Sequence, residues 1–155
     1  MTTFTDKYQV LKQVFGYDSF RPGQEHLINA ILAGKDVLGI MPTGAGKSIV
    51  YQVPALLFPG ITLVISPLIS LMKDQVEGLN QAGVHAAYLN SSLTQNQYFK
   101  ALDFARAGRY PIIYVAPERL LTDSFLSFAL NANISMQWMR PTASLSGDRI
   151  SVPAT

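Results

Sequence analysis

Between Tyr8 and Met136 the period of the apolar residues switches back and forth between strand-like and helix-like. Residues 36–41 (DVLGIM), 61–66 (ITLVIS), 86–89 and 111–115 (PIIYV) are short runs of the buried-strand kind, and 134–136 begins what reads as a fifth. Helix-length stretches separate them. Residues 8–15 end at Gly16, and 23–33 end at Gly34 in a left-handed cap position. Residues 47–57 carry Pro54, which is expected to kink the last turn. Leu68, Leu71, Met72, Val76 and Leu79 form one stripe over 68–81. Thr94 with Gln97 three residues on is a capping box, opening a helix that runs to Gly108. Short helices are expected at 118–121 and 124–130. Strands alternating with helices of this length imply βαβ units, hence an α/β fold with a parallel sheet covered on both faces.

The chain is long enough for one such domain, with 155 residues of which 48% are hydrophobic and only 14% charged. That balance excludes a disordered or polyelectrolyte chain. A net charge of +2 makes no electrostatic case for nucleic acid, so any such claim has to come from motifs. The absence of cysteine excludes disulfides, thiolate-bound zinc and a thiol nucleophile. No secretory h-region opens the sequence and no run of 18 apolar residues occurs, so a soluble, cytoplasmic protein with no membrane partner is expected.

Met41-Pro42-Thr43-Gly44-Ala45-Gly46-Lys47-Ser48 falls between a strand and a helix, where a phosphate cradle belongs. Glycines at 44 and 46 let the backbone curl until successive N–H groups face inward, and the helix that follows offers its positive dipole end. The Lys47 ammonium can reach the β- and γ-phosphates of a nucleotide, and the Ser48 hydroxyl can ligand Mg²⁺. The strict pattern G-x-x-x-x-G-K-[ST] has glycine where this chain has Met41. A glycine-rich turn with a solvated lysine is the competing reading; the strand–loop–helix setting favours nucleotide binding.

Four segments carry a more specific resemblance: Phe15 with Gly16-Tyr17-Asp18-Ser19-Phe20-Arg21-Pro22-Gly23-Gln24, then the loop from Met41 to Ser48, then Ser66-Pro67-Leu68-Ile69-Ser70 running on to Gln75, then Ala116-Pro117-Glu118-Arg119-Leu120. In order and spacing they resemble the RecQ family of ATP-dependent DNA helicases, whose loop also has methionine at the Met41 position. The resemblance implies an incomplete first RecA-like lobe, with ATP and Mg²⁺ as cofactors and DNA as partner. It implies that Tyr17 and Arg21 sandwich the adenine and that Gln24 reads its edge. Thr43, Gly44, Ala45, Gly46, Lys47 and Ser48 would then hold the phosphates, with Lys47 and Ser48 serving catalysis. The chemistry of the side chains agrees, since a phenol ring and a guanidinium suit stacking and one amide can make two hydrogen bonds. Taken singly, Tyr17, Arg21 and Gln24 also read as a core aromatic, a surface charge and a solvated helix residue.

The same resemblance puts Ser66, Pro67 and Ser70 against the DNA backbone, with Asn90 and Arg119 near the path of the strand. A strand ending at a helix N-terminus beside hydroxyls can donate to a phosphate. The segment reads equally as a helix cap with a core-facing stripe. His26 and His85 have no neighbouring carboxylate cluster in sequence and read as structural or surface residues.

Hydrolysis in such motors needs an acidic pair, one carboxylate for Mg²⁺ and one for the attacking water. In RecQ-like helicases Asp-Glu-Ala-His ends the strand that begins here near Ile134, yet no Asp-Glu dipeptide occurs in this chain. Residues 137–155 lose the apolar period and read as a floppy tail holding the only tryptophan, Trp138. From Trp138 onward they can be written in codons which, shifted by one base, spell Asp-Glu-Ala-His-Cys-Val-Ser-Gln-Trp-Gly-Gln-Asp-Phe-Arg-Pro-Ser-Tyr. The expectation is therefore residues 1–136 as a partial ATP-binding helicase lobe and 137–155 as an out-of-frame tail, which binds ATP weakly and does not unwind DNA. A non-enzymatic nucleotide-binding remnant and a small P-loop phosphotransferase are the alternatives.

Overall fold

The computed structural model describes residues 3–40, 46–139 and 147–151. Helices α1 (Lys7–Phe15) and α2 (Gln24–Leu32) precede β1 (Val37–Ile40), α3 (Lys47–Leu57) and β2 (Ile61–Ile65). Then follow α4 (Ile69–Gln81), β3 (Ala86–Leu89), α5 (Gln95–Arg106), β4 (Ile112–Val115), a 3-10 turn at Pro117–Arg119, α6 (Asp123–Asn131), β5 (Ile134–Met139) and β6 (Gly147–Ser151). One sheet takes all six strands in the order β1-β6-β5-β2-β4-β3. Strands β2–β5 pair in parallel, while β6 is antiparallel to β1 and to β5, so β1 runs the same way as the other four.

The parallel strands bury both faces, which is why they read as continuous apolar runs. Ile112 and Tyr114 of β4 join a cluster with Val50, Tyr51 and Ala55 of α3 and Met72, Val76 and Leu79 of α4. Ile113 and Val115, the alternate positions, face Tyr98, Leu102 and Ala105 of α5 and Phe125 and Phe128 of α6. A third cluster, Val10, Leu11, Ile28, Ile49 and Val53, seals α1 and α2 onto α3. Helices α3 and α4 lie on one face while the chain steps from β1 outward to β3. Helices α5 and α6 lie on the other while it steps back to β5, as right-handed crossovers require.

Local chemistry sets the boundaries. Asp6 accepts the Gln9 N–H at 2.8 Å to cap α1, and Thr94 and Gln97 form the reciprocal box that opens α5. Lys7 pairs with Glu25 at 2.8 Å and Tyr8 donates to the same carboxylate, which clamps α1 on α2. The hydrogen bond between Lys7 and Glu25 raises the Lys7 pKa and, ahead of the bond from Tyr8, lowers that of Glu25. Pro54 does not end α3 early: the helix runs to Leu57, and the Phe58 N–H still reaches the Pro54 carbonyl at 2.9 Å. Among the described residues no helix is long and apolar enough to cross a membrane.

Two expectations change. The fifth strand extends three residues past Met136, and five residues of the presumed floppy tail form β6 in the sheet interior. The physical reason is the gap between β1 and β5, whose ladder groups would otherwise lack partners.

Candidate nucleotide and nucleic-acid site

The carboxyl ends of the parallel strands meet the amino ends of α3 and α4 at one edge of the sheet, the usual ligand crevice of such folds. Gly46 opens α3 in a left-handed conformation (φ 74°, ψ 45°) with no side-chain cap. A glycine in that position has no side chain to cap the first N–H groups of the helix. Lys47 and Ser48 form its first turn and are half-buried. Thr43, Gly44 and Ala45 lie outside the described residues, as does Met41.

Gln24 is the joint between the two halves of the nucleotide side. It is 3% exposed at the start of α2, its Oε1 accepts the Arg21 N–H at 2.8 Å, and its Nε2 donates to the Gly46 carbonyl at 3.0 Å. The Arg21 side chain lies close by, its Cδ 3.9 Å from where a Cβ on Gly46 would stand. Arg21 is exposed and Tyr17 is 51% exposed. The structure therefore brings Arg21, Gln24 and Gly46 together, at the head of the helix that carries Lys47 and Ser48.

On the neighbouring side, Ser66 ends β2 almost fully buried, and its Oγ accepts the Leu68 N–H at 3.2 Å. Pro67, Leu68, Ile69 and Ser70 are exposed at the uncapped start of α4. Asn90 has no exposed surface. Its Oδ1 accepts the Ser92 N–H at 2.9 Å and its amide leans on the Met72 sulfur at 3.5 Å, so the side chain shapes its own loop. Arg119 is held against that loop: an Nη donates to the Asn90 carbonyl at 3.5 Å, and the guanidinium lies 4.8 Å over the Tyr98 ring. Its Nε is buried without a hydrogen-bond partner among the described residues.

Tyr98 escaped the sequence reading because its relation to Arg119 is made across separate elements. The usable signal was an aromatic on the inner face of α5 with a hydroxyl that apolar packing does not need. Among the described residues no group of three His, Asp or Glu side chains could hold a metal ion. His26 and His85 are exposed.

A parallel sheet wound in both directions, with helices on both faces, places the chain among the doubly wound α/β domains. The model of the DEAD/DEAH box helicases matches residues 21–138, and the chain belongs to that family. Its relatives include ATP-dependent DNA helicase RecQ of Haemophilus influenzae, 56% identical over 116 residues that make up 75% of this chain and 19% of that protein. RecQ of Pasteurella multocida is 52% identical over 81% of this chain and 20% of its own length, and RecQ of Bacillus subtilis 48% identical over 76% and 20%. The chain thus spans about a fifth of the length of these relatives. A hypothetical ATP-dependent RNA helicase from Sulfolobus tokodaii shares the fold, with a TM-score of 0.58 at 24% identity over 74% of this chain and 34% of that one.

Proposed function

We propose that this chain is the ATP-binding part of the first RecA-like lobe of a RecQ-type, 3′-to-5′ ATP-dependent DNA helicase acting in the cytoplasm in DNA repair and recombination. The observation that carries the reading is the Gln24 amide, which ties the loop of Arg21 to the Gly46 carbonyl at the head of α3. An adenine between Tyr17 and Arg21 would have its phosphates directed at that helix end. Thr43, Gly44, Ala45 and Gly46 would supply backbone N–H groups, Lys47 the cation for the β- and γ-phosphates, and Ser48 a hydroxyl for Mg²⁺. Gln24 meets the adenine edge by exchanging its present partners for the base.

For DNA, Ser70 and the open N–H groups of α4 after Pro67 are suited to a phosphate, with Ser66 holding the turn. Arg119 supplies charge on an aromatic platform, and Asn90 positions it rather than touching the strand. Hydrolysis needs an acidic pair, and this sequence contains no Asp-Glu dipeptide. This polypeptide is accordingly a nucleotide binder with little or no hydrolysis. Titration of a fluorescent ATP analogue tests the reading: saturable Mg²⁺-dependent binding, lost in Lys47→Ala, is expected, and equal binding by both proteins would overturn it.

A second feature supports the assignment of 1–136 as helicase lobe and 137–155 as out-of-frame tail. Strand β6 is antiparallel inside a sheet of five parallel strands, and its sequence GDRIS is polar where an interior strand is normally apolar. A parallel strand in that position would need a crossover helix of a dozen or more residues, on the face of α5 and α6. Sequencing the DNA beyond the Met136 codon decides the matter; a codon string with no Asp-Glu-Ala-His in a shifted frame discards it.

A further inference from the structure

A buried polar junction lies beneath both proposed sites. Gln52, on the same side of α3 as Ser48 one turn later, is 4% exposed. Its Nε2 donates to Gln75 Oε1 of α4 at 2.8 Å and to the Tyr114 hydroxyl of β4 at 3.2 Å. The Tyr114 and Tyr51 hydroxyls are 2.8 Å apart. Tyr51 and Tyr114 belong to a buried apolar cluster that includes Val50, Met72, Val76 and Ile112. Methionine could occupy the volume of either glutamine, so packing alone does not call for amides here. A buried amide in such surroundings is costly unless its hydrogen bonds are made, and those bonds weaken steeply with displacement or misalignment. Sliding α3 against α4 by about an ångström would break the Gln52–Gln75 bond and deprive the buried Gln52 amide of one of its hydrogen-bond partners.

Each element that meets at this junction delivers one part of the proposed machinery. Helix α3 opens with Lys47 and Ser48, α4 opens beside Ser66 and Ser70, and β4 leads through Pro117 to Arg119. We infer that Gln52 and Gln75 are positioning residues which lock the nucleotide helix to the DNA-side helix, so that filling one site changes affinity at the other. The inference rests on the function proposed above, and adds to it a physical link between the sites.

The test is the ratio of two dissociation constants for a fluorescent ATP analogue, measured on the whole chain with Mg²⁺, with and without saturating oligo-dT. The wild type is expected to show a ratio at least about fivefold away from one. Gln75→Met removes only the arm from α4, which is half-buried, and Gln52→Met removes the centre. Both are expected to bring the ratio to about one, while the affinity for each ligand alone moves less than about threefold. A merely structural role would lower both affinities and the melting temperature together and leave the ratio intact. A wild-type ratio of one, or an undiminished ratio in folded Gln75→Met, overturns the inference. Failure of the wild type to bind the analogue at all is a different result: it overturns the nucleotide reading itself, and the link with it.

Discussion

The Nε2 of Gln24 donates to the carbonyl of Gly46 across 3.0 Å, joining the first residue of α2 to the left-handed residue that opens α3. The same amide accepts the Arg21 N–H, so one side chain sets the distance between the loop of Arg21 and the head of α3. Gln24→Glu keeps the acceptor for Arg21 and turns the donor into a carboxylate facing a carbonyl. A penalty of about 1–3 kcal/mol is expected for the broken buried pair. Analogue titration should show binding weakened about tenfold or more, and unchanged affinity would count against the joint.

Gly46 cannot become alanine without strain. Its φ of 74° is disfavoured for any residue with a Cβ, by about 1–2 kcal/mol, and the added methyl would run into the Gln24 amide. Gly46→Ala should lower the melting temperature by roughly 2–8 °C and weaken nucleotide binding. Gly78→Ala is the contrast: that glycine sits inside α4 with open space around it. There the change should stabilise by roughly 0.5–1 kcal/mol, read as a higher melting temperature.

Arg119 combines a charge and a stacked plane. Arg119→Ala should weaken single-stranded DNA binding for all sequences and reduce the salt slope of log K by about 0.7. Arg119→Lys should keep the slope yet lose the stack on Tyr98, lowering stability by a few tenths to about 1 kcal/mol. Fluorescence anisotropy across a salt series, with thermal melts, separates the two contributions. An Arg119→Ala protein with the wild-type slope would remove the residue from the DNA path.

Burial pushes the Tyr114 hydroxyl above the ordinary tyrosine pKa, an effect only partly offset by its bonds to Tyr51 and Gln52. The folded state therefore holds this proton at pH values where the unfolded chain has released it. The stability it contributes is fully present below the unfolded pKa of about 10 and is lost as pH rises through the higher folded value. Melting temperatures recorded from neutral pH upward should fall beyond that point, and less steeply in Tyr114→Phe. Parallel curves would contradict the assignment.

What could be read from sequence follows from how local each determinant is. The capping box of Thr94 and Gln97 and the left-handed stop at Gly34 involve residues a few positions apart, and the helices begin and end accordingly. The Gly46-Lys47-Ser48 turn is likewise a local strand-to-helix device. Gln24 was legible as a site residue, but its attachment to Gly46 depends on α2 folding over α3. The junction of Gln52, Gln75 and Tyr114 was not legible, because two glutamines on apolar helix faces look solvated until the helices are laid against β4. Strand β6 was missed for the opposite reason: the GDRIS sequence has little preference for a strand, and the gap beside β1 recruits it.

That recruitment gives the tail a protective duty. Among the described residues strand β1 has β6 as its one neighbour in the sheet, and β5 pairs with β6 from the other side. Peeling away Gly147–Ser151 would uncover two backbone edges at once and leave β1 tethered only by its helices, inviting strands of other copies to add themselves. A polypeptide shortened before Gly147 should accordingly cluster with its own kind, so these five residues act as a guard rail against aggregation.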